Sequence, residues 1–265
     1  MTPLSKVDNL YFKREDQNPT GSAKDRALPL QIQNLIKNGY NSAVISSTGN
    51  AAISASFYCQ QANIPLTIFV SPKINQNKLS LINGHIIKSL KPVSDSIKYS
   101  KANNSYLLRQ STDPNAQIGY GQIAKEILEQ LPQVTSIFIP VGSGTTLLGI
   151  AKILPNNVKV FAVQPACNPT ICSFFNPNYT PETETITDSL SVKYLPLKKE
   201  IIKSIKNHQG SGIIVKNTDA INCLDFVKQF NSSPESALTL AAYYQTKKDF
   251  EVGDYPIILL TGTKR

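Results

Sequence analysis

Tryptophan is absent from the 265 residues, methionine occurs once and histidine twice. His85 in "NGHIIK" and His208 in "KNHQG" have no acidic or serine partner at a recognisable spacing, which argues against a histidine-centred triad and leaves both with surface or loop roles. Cys59, Cys167, Cys172 and Cys223 never pair at CxxC spacing. Without a secretory leader they read as reduced, mostly buried thiols, and neither a disulfide frame nor a metal site is expected. No apolar run is long enough to cross a bilayer, and "MTPLSKVDNLYFKRED" lacks the apolar stretch of a signal peptide. The expectation is a cytoplasmic protein with no membrane partner.

Acidic residues are also scarce: 18 Asp and Glu face 27 Lys and Arg, for a net charge of +9. That balance permits an acidic partner. Yet the lysines are scattered, and the densest run, "LKKEIIKSIKNH", has the spacing of an amphipathic helix with a solvated basic face. With no tryptophan to stack on bases, no nucleic acid partner is expected, and a phosphate-bearing small molecule accounts for the charge as well. With 41% hydrophobic and 17% charged residues the chain is long and apolar enough for one large domain or two modest ones.

Along the chain, apolar strand-like runs alternate with helix-like ones. "SAVISS" precedes "AAISASFYCQQAN", "PLTIFV" precedes "NQNKLSLIN", "HIIKSL" precedes "SDSIKYSKAN", and "YLLRQS" precedes "QIGYGQIAKEILEQL". "SIFIPV" leads to "TTLLGIAKIL", "VKVFAVQP" opens a loop, and "GIIVK" leads to "DAINCLDFVKQF". Near-continuous apolar strands between helices are the pattern of parallel sheets covered on both faces, so the fold class is α/β. The stretch "PACNPTICSFFNPNYTPETET" reads as a long connection, either a binding element or a wandering surface loop. Sites in such sheets gather at the carboxyl ends of strands, which directs attention to the polar and glycine-containing turns there.

Four stretches qualify. In "NPTGSAKDR", Ser22 and Asp25 have the spacing of a capping box, and Lys24 falls in the first helical turn, where a cation is disfavoured by the helix dipole. Pro29 should kink or delay the regular helix that follows. Lys24 is thus either a solvated amine or a residue placed for chemistry. "SSTGN", Ser46 to Asn50, offers hydroxyls and free amides at a helix start, either as a cap or as an anion site. In "VGSGTTLLGI", Gly142 and Gly144 permit a sharp turn beside the hydroxyls of Ser143, Thr145 and Thr146, a phosphate cradle in outline. It lacks GxxxxGK and the full GxGxxG, which disfavours ATP and NAD. Finally, "YPIILLTGTKR" brings Thr261 out at the end of an apolar strand.

The order and spacing of these four stretches resemble the fold type II enzymes that use pyridoxal 5'-phosphate. The resemblance implies two three-layer α/β/α domains with mostly parallel sheets: residues 1–38 plus 119–265 as the larger, cofactor-binding one, and 39–118 as a smaller inserted one. It implies that Lys24 is the Schiff-base lysine, that Asn50 contacts the cofactor's ring oxygen, that Gly142, Ser143, Gly144, Thr145 and Thr146 hold the phosphate, and that Thr261 meets the pyridine nitrogen. Ser47, Thr48 and Gly49 would take the carboxylate of an amino-acid substrate. A neutral hydroxyl opposite the ring nitrogen favours elimination or replacement over transamination.

Within that family the chain is most similar to threonine synthases, which convert phosphohomoserine to threonine and phosphate. The similarity lies in "SSTGN", "DPNAQIGYGQIAKEI", "VFAVQPACNPTI" and "LLTGTK", while "ETITDSLSVK" is shared with serine and threonine dehydratases. Two positions depart from the pattern: Ala51 stands where a threonine is usual and Gln117 where an arginine is usual, both of which serve the substrate's phosphate in the family. A dehydratase, a cysteine synthase-like replacement enzyme, and a noncatalytic pyridoxal phosphate binder are the alternatives. A homodimer is common in the family.

Overall fold

The computed structural model describes residues 1–265 apart from Thr48, Lys73, Asn75, Asp188, Ser189, Ser191, Lys193 and Tyr194, and apart from the side chain of Asp249. Thr48, and much of "ETITDSLSVK", therefore lie outside the described residues.

In chain order the strands are β1 (Leu4–Val7), β2 (Leu10–Arg14), β3 (Ala43–Ser46), β4 (Leu66–Val70), β5 (His85–Lys88), β6 (Tyr106–Leu107), β7 (Ser136–Pro140), β8 (Lys159–Pro165), β9 (Gly212–Val215) and β10 (Pro256–Leu260). The helices are α1 (Leu28–Lys37), α2 (Asn50–Gln61), α3 (Gln76–Leu79), α4 (Pro92–Ala102), α5 (Pro114–Gln130), α6 (Thr145–Ala151), α7 (Lys198–Asn207), α8 (Asn217–Asn222), α9 (Leu224–Lys228) and α10 (Pro234–Asp249). Six strands form one sheet in the order β1-β2-β10-β7-β8-β9, and four form another in the order β5-β4-β3-β6. Every neighbouring pair is parallel except the β1–β2 hairpin. The α/β architecture with mostly parallel sheets is thus the observed one. The boundary expected between 118 and 119 falls inside α5.

Strand alternation divides the core. Phe12, Phe138, Phe161 and Ile258 point to one face of the larger sheet with Ala237, Leu238 and Ala241 of α10. Ile137, Val160 and Ile257 point to the other with Ile123 and Ile127 of α5 and Leu147 and Leu148 of α6. This second cluster continues without a break into Ile45, Ile68 and Ala55 of the smaller sheet and its helices. Each such side chain, fully buried, contributes about 1.5–3 kcal/mol, so the apolar runs are what hold both sheets in place.

Pro29 delays the helix without kinking it: α1 begins at Leu28, and the proline sits in the first turn, where its missing amide hydrogen costs nothing. His208 lies in the turn after α7 but not at the surface; its ring is buried, with nitrogens 3.0 and 2.9 Å from the carbonyl oxygens of Val158 and Ala151. The "YLLRQS" run keeps only Tyr106 and Leu107 as strand, because β6 is an edge that pairs with β3 at Ala43 and Val44 alone.

One contact brings α5 against the lysine segment. At Gly119 a Cβ would overlap the backbone carbonyl of Arg26, so only a bare Cα lets the helix approach this closely. Gly119→Ala is expected to push α5 off that segment and destabilise the fold by about 1–3 kcal/mol. Urea denaturation checks this; an unchanged midpoint would show that the approach can relax.

Candidate functional site

Lys24 does not sit in an α-helix. It lies in a 3-10 turn, Ala23–Arg26, capped by Ser22, whose hydroxyl accepts from the Lys24 amide at 3.4 Å. The capping box expected of Asp25 is not formed. The Asp25 carboxylate accepts instead from the Thr20 amide at 2.6 Å, the Thr20 hydroxyl at 2.5 Å and the Ser54 hydroxyl at 2.6 Å. A buried carboxylate needs such donors, and because Ser54 lies one turn into α2, Asp25 ties the lysine segment to the helix that starts at Asn50.

The turn is fixed from behind by an ionic network. Arg26 pairs with Glu15 at 2.8 Å and with Glu126 at 2.5 Å, and Lys13, fully buried, pairs with Glu126 at 2.6 Å. Burial alone would raise the Glu126 carboxyl, but hydrogen bonds from Arg26 and Lys13 outweigh it and hold the group at about 2. Burial lowers the Arg26 guanidinium, and the hydrogen bonds to Glu15 and Glu126 more than reverse this, so the net shift is upward. For Lys13 burial wins over its pairing with Glu126, and the shift is downward. Asn18, at the start of "NPTGSAKDR", donates to Glu15 at 2.7 Å and so joins the segment to the same network.

On the open side, the Lys24 ammonium meets the Tyr120 hydroxyl at 3.2 Å, and that hydroxyl donates to Gln110 Oε1 at 2.9 Å. No carboxylate pairs with Lys24 among the described residues. Thr261, one residue past β10, accepts the Ala23 amide on its carbonyl at 2.9 Å, which sets it beside the lysine. Lys24, Thr261 and the Gly142–Thr146 turn thus follow the carboxyl ends of β2, β10 and β7, which are neighbours in the sheet. Gly144 has a φ of 79°, a left-handed turn, with Ser143 Oγ and Thr145 Oγ1 3.1 Å apart. A side chain at Gly144 would also collide with Ile201 of α7, so the turn is bare backbone on two counts.

Ser47, Gly49 and Asn50 follow the carboxyl end of β3, across a cleft from Ser143. The Gly49 amide donates to Ser47 Oγ at 3.2 Å, and Asn50 opens α2. Asn50 Oδ1 accepts from Arg265 at 2.5 Å, and the same guanidinium reaches the Thr20 carbonyl; burial lowers its pKa, with Asp25 opposing. The cleft encloses a pocket of about 180 Å³ lined by Ser47, Ala51, Gln110 and Ser143 among others. Lys24, Asn50, Thr261 and Gln117 are not among the residues that line it, and the Gln117 side-chain oxygen accepts from Lys152. A larger hollow of about 500 Å³, at Phe175, Gly212 and Phe250, contains none of the residues singled out in the sequence.

Tyr120, Gln110 and Arg109 were not read from the sequence. Arg109 also lines the pocket, just past β6. The one available signal was the pair of glycines flanking Tyr120 in "QIGYGQ", which mark close helix packing around that ring.

An amine with no carboxylate partner among the described residues, and a bare left-handed turn rich in hydroxyls after a strand of the same sheet, fit a phosphorylated carbonyl compound. Comparison with known proteins agrees. Serine racemase of Bos taurus is 28% identical over 220 residues, covering 74% of this chain and 66% of the racemase, so the match spans slightly less than two thirds of that relative. L-threo-3-hydroxyaspartate ammonia-lyase of Saccharomyces cerevisiae is 26% identical over 270 residues, 96% of this chain and 82% of the lyase. Threonine synthase of Methanosarcina acetivorans matches less of both chains, 57% and 42% at 28% identity, so the special likeness to threonine synthases is not upheld at that level of detail. Among solved structures, a pyridoxal 5'-phosphate-dependent aspartate racemase has the same fold, with a TM-score of 0.86 and 20% identity over all of this chain and 90% of that one. The family model described as "Pyridoxal-phosphate dependent enzyme" matches residues 1–262, and the chain belongs to that family.

Proposed function

We propose that the chain catalyses elimination from a small hydroxyamino acid, losing water and then, on hydrolysis, releasing a 2-oxo acid and ammonia. The observation that carries this reading is the placement of Lys24, an amine held by a neutral hydroxyl and set beside Thr261 at the carboxyl ends of the central strands. Lys24 would hold the cofactor, Asn50 its ring oxygen, Gly142 to Thr146 its phosphate, and Thr261 its ring nitrogen. When bound, pyridoxal phosphate supplies an electron sink that acidifies the substrate Cα–H.

The chain's own groups account for the rest. The amides and hydroxyls of the Ser47–Asn50 turn orient the substrate carboxylate at the start of α2. Lys24 Nζ, fixed by Tyr120 and through it by Gln110, is the base that takes the Cα proton. Thr261 would offer the ring nitrogen an uncharged hydroxyl, with no carboxylate to keep that nitrogen protonated.

The threonine synthase reading is weaker on one particular: Ala51 has no hydroxyl and Gln117 is engaged with Lys152, so neither serves a substrate phosphate. Incubation with L-serine, L-threonine and L-threo-3-hydroxyaspartate is expected to yield 2-oxo acid and ammonia in equal amounts. Phosphate release from phosphohomoserine without 2-oxo acid would replace this reading with the synthase one. Bound cofactor with no turnover of any amino acid would make the chain a noncatalytic binder.

A further inference from the structure

We infer that the pocket selects amino acids whose side chain carries a second anionic group, and that Arg109 reads it with the help of Gln110. This rests on the proposal that the Ser47–Asn50 turn takes the α-carboxylate.

Among the described residues lining the pocket, Arg109 is the one charged group, and no carboxylate faces it there. The polar remainder is hydroxyl and amide: Ser46, Ser47, Ser96, Ser111, Ser143 and Gln110. No hydrogen bond or ion pair within the described residues engages the Arg109 guanidinium. Beside it, Gln110 Oε1 is taken by Tyr120 while the buried Nε2 has no acceptor. Two donors of adjacent residues are therefore left unsatisfied on one wall of a confined pocket, and each is costly to desolvate unless a ligand brings an acceptor. The backbone holds them in place, with the Arg109 amide donating to Leu107 at 2.8 Å and its carbonyl accepting from Thr112 at 3.1 Å. Ser47 and Ala51 line the same pocket, and β6 pairs in parallel with β3, so a substrate anchored by its α-carboxylate at Ser47 lies within the pocket that Arg109 lines. A carboxylate or a phosphate on its side chain pairs with the guanidinium in bidentate fashion; an alanine-sized side chain leaves it unpaired.

The test is calorimetric titration of the cofactor-loaded protein with three compounds that have no leaving group: L-aspartate, L-2-amino-3-phosphonopropionate and L-alanine. At least one dianionic compound is expected to bind about 10-fold or more tightly than alanine, and which of the two does so identifies carboxylate or phosphate as the group read. Arg109→Gln should abolish the preference while alanine binding stays within about twofold, and Arg109→Lys should restore part of it. Equal binding of all three compounds, or a uniform loss in Arg109→Gln, overturns the inference. Turnover of L-serine without any preference for aspartate would sink it while sparing the proposed reaction. Arg109-dependent aspartate binding in a protein that turns over no hydroxyamino acid would do the reverse.

Discussion

Replacing Lys24 with alanine is expected to lower turnover by at least about 10³-fold, because in the proposed reaction one side chain serves as both covalent anchor and base, and base catalysis alone supplies roughly 10²–10⁴-fold. The fold should survive the change. Lys24 makes no ion pair among the described residues, and its ammonium contacts the Tyr120 hydroxyl and ring. A loss of stability within about 1 kcal/mol follows. Lys24→Arg should be as inactive, since a guanidinium stays protonated and can neither attack a carbonyl nor accept the Cα proton. Borohydride treatment followed by mass spectrometry is the direct measurement: it should fix pyridoxal phosphate on the wild-type chain at Lys24 and leave Lys24→Ala unlabelled. Normal turnover by Lys24→Ala, or fixation at another lysine, would remove Lys24 from the reaction.

Glu126→Gln should have the largest effect on stability. The Glu126 carboxylate, 12% exposed, neutralises a fully buried Lys13 and is shared with Arg26. Removing it leaves the buried Lys13 without its ion-pair partner, while Arg26 keeps Glu15; breaking such a buried pair costs about 3–5 kcal/mol and, for a chain this long, lowers the melting temperature by roughly 10 °C. The pH dependence has a definite sign. The folded-state value of about 2 lies below the ordinary 4.5 of a glutamate, so the stabilisation is complete above about pH 4.5 and is lost as pH falls toward 2. The downward shift of Lys13 acts at higher pH and does not mask this window. Denaturation midpoints between pH 2 and 7 should fall on the acid side in the wild type and be flatter in Glu126→Gln. An identical acid limb in both would place the acid sensitivity elsewhere. Because Arg26 lies two residues from Lys24, the variant should also loosen cofactor binding.

Much of the fold was legible because it is built from short-range signals. Apolar runs such as "SIFIP" and "PLTIFV" read as strands whatever surrounds them, and the glycine and hydroxyl turns that follow them stand at strand ends. Helix α10 was harder to see: "PESALTLAAYYQTKKD" packs on the larger sheet through small residues such as Ala237 and Ala241, so no broad apolar stripe betrays it. The β1–β2 hairpin turns at Asp8, whose φ of 51° only the short "VDN" hints at. Asp25 departs from its local pattern for a related reason. Its spacing from Ser22 is that of a local cap, but donors on Thr20 and on the distant Ser54 compete for the carboxylate and win.

The sequence by itself determined the order of the candidate stretches along the chain: the lysine turn at Lys24, the turn after β3, the glycine turn after β7 and the threonine after β10, each carried by a few contiguous residues. Only the tertiary structure decided what surrounds them. Tyr120 stands 96 residues from Lys24 and reaches it because Gly119 lets α5 approach the Arg26 carbonyl. The Gln117 side chain accepts from Lys152, while Arg109, a residue of no marked local pattern, takes a place on the pocket wall. Local spacing encodes backbone turns, whereas the partner of a side chain depends on which helices and strands pack beside it, and that is settled by burial over the whole chain.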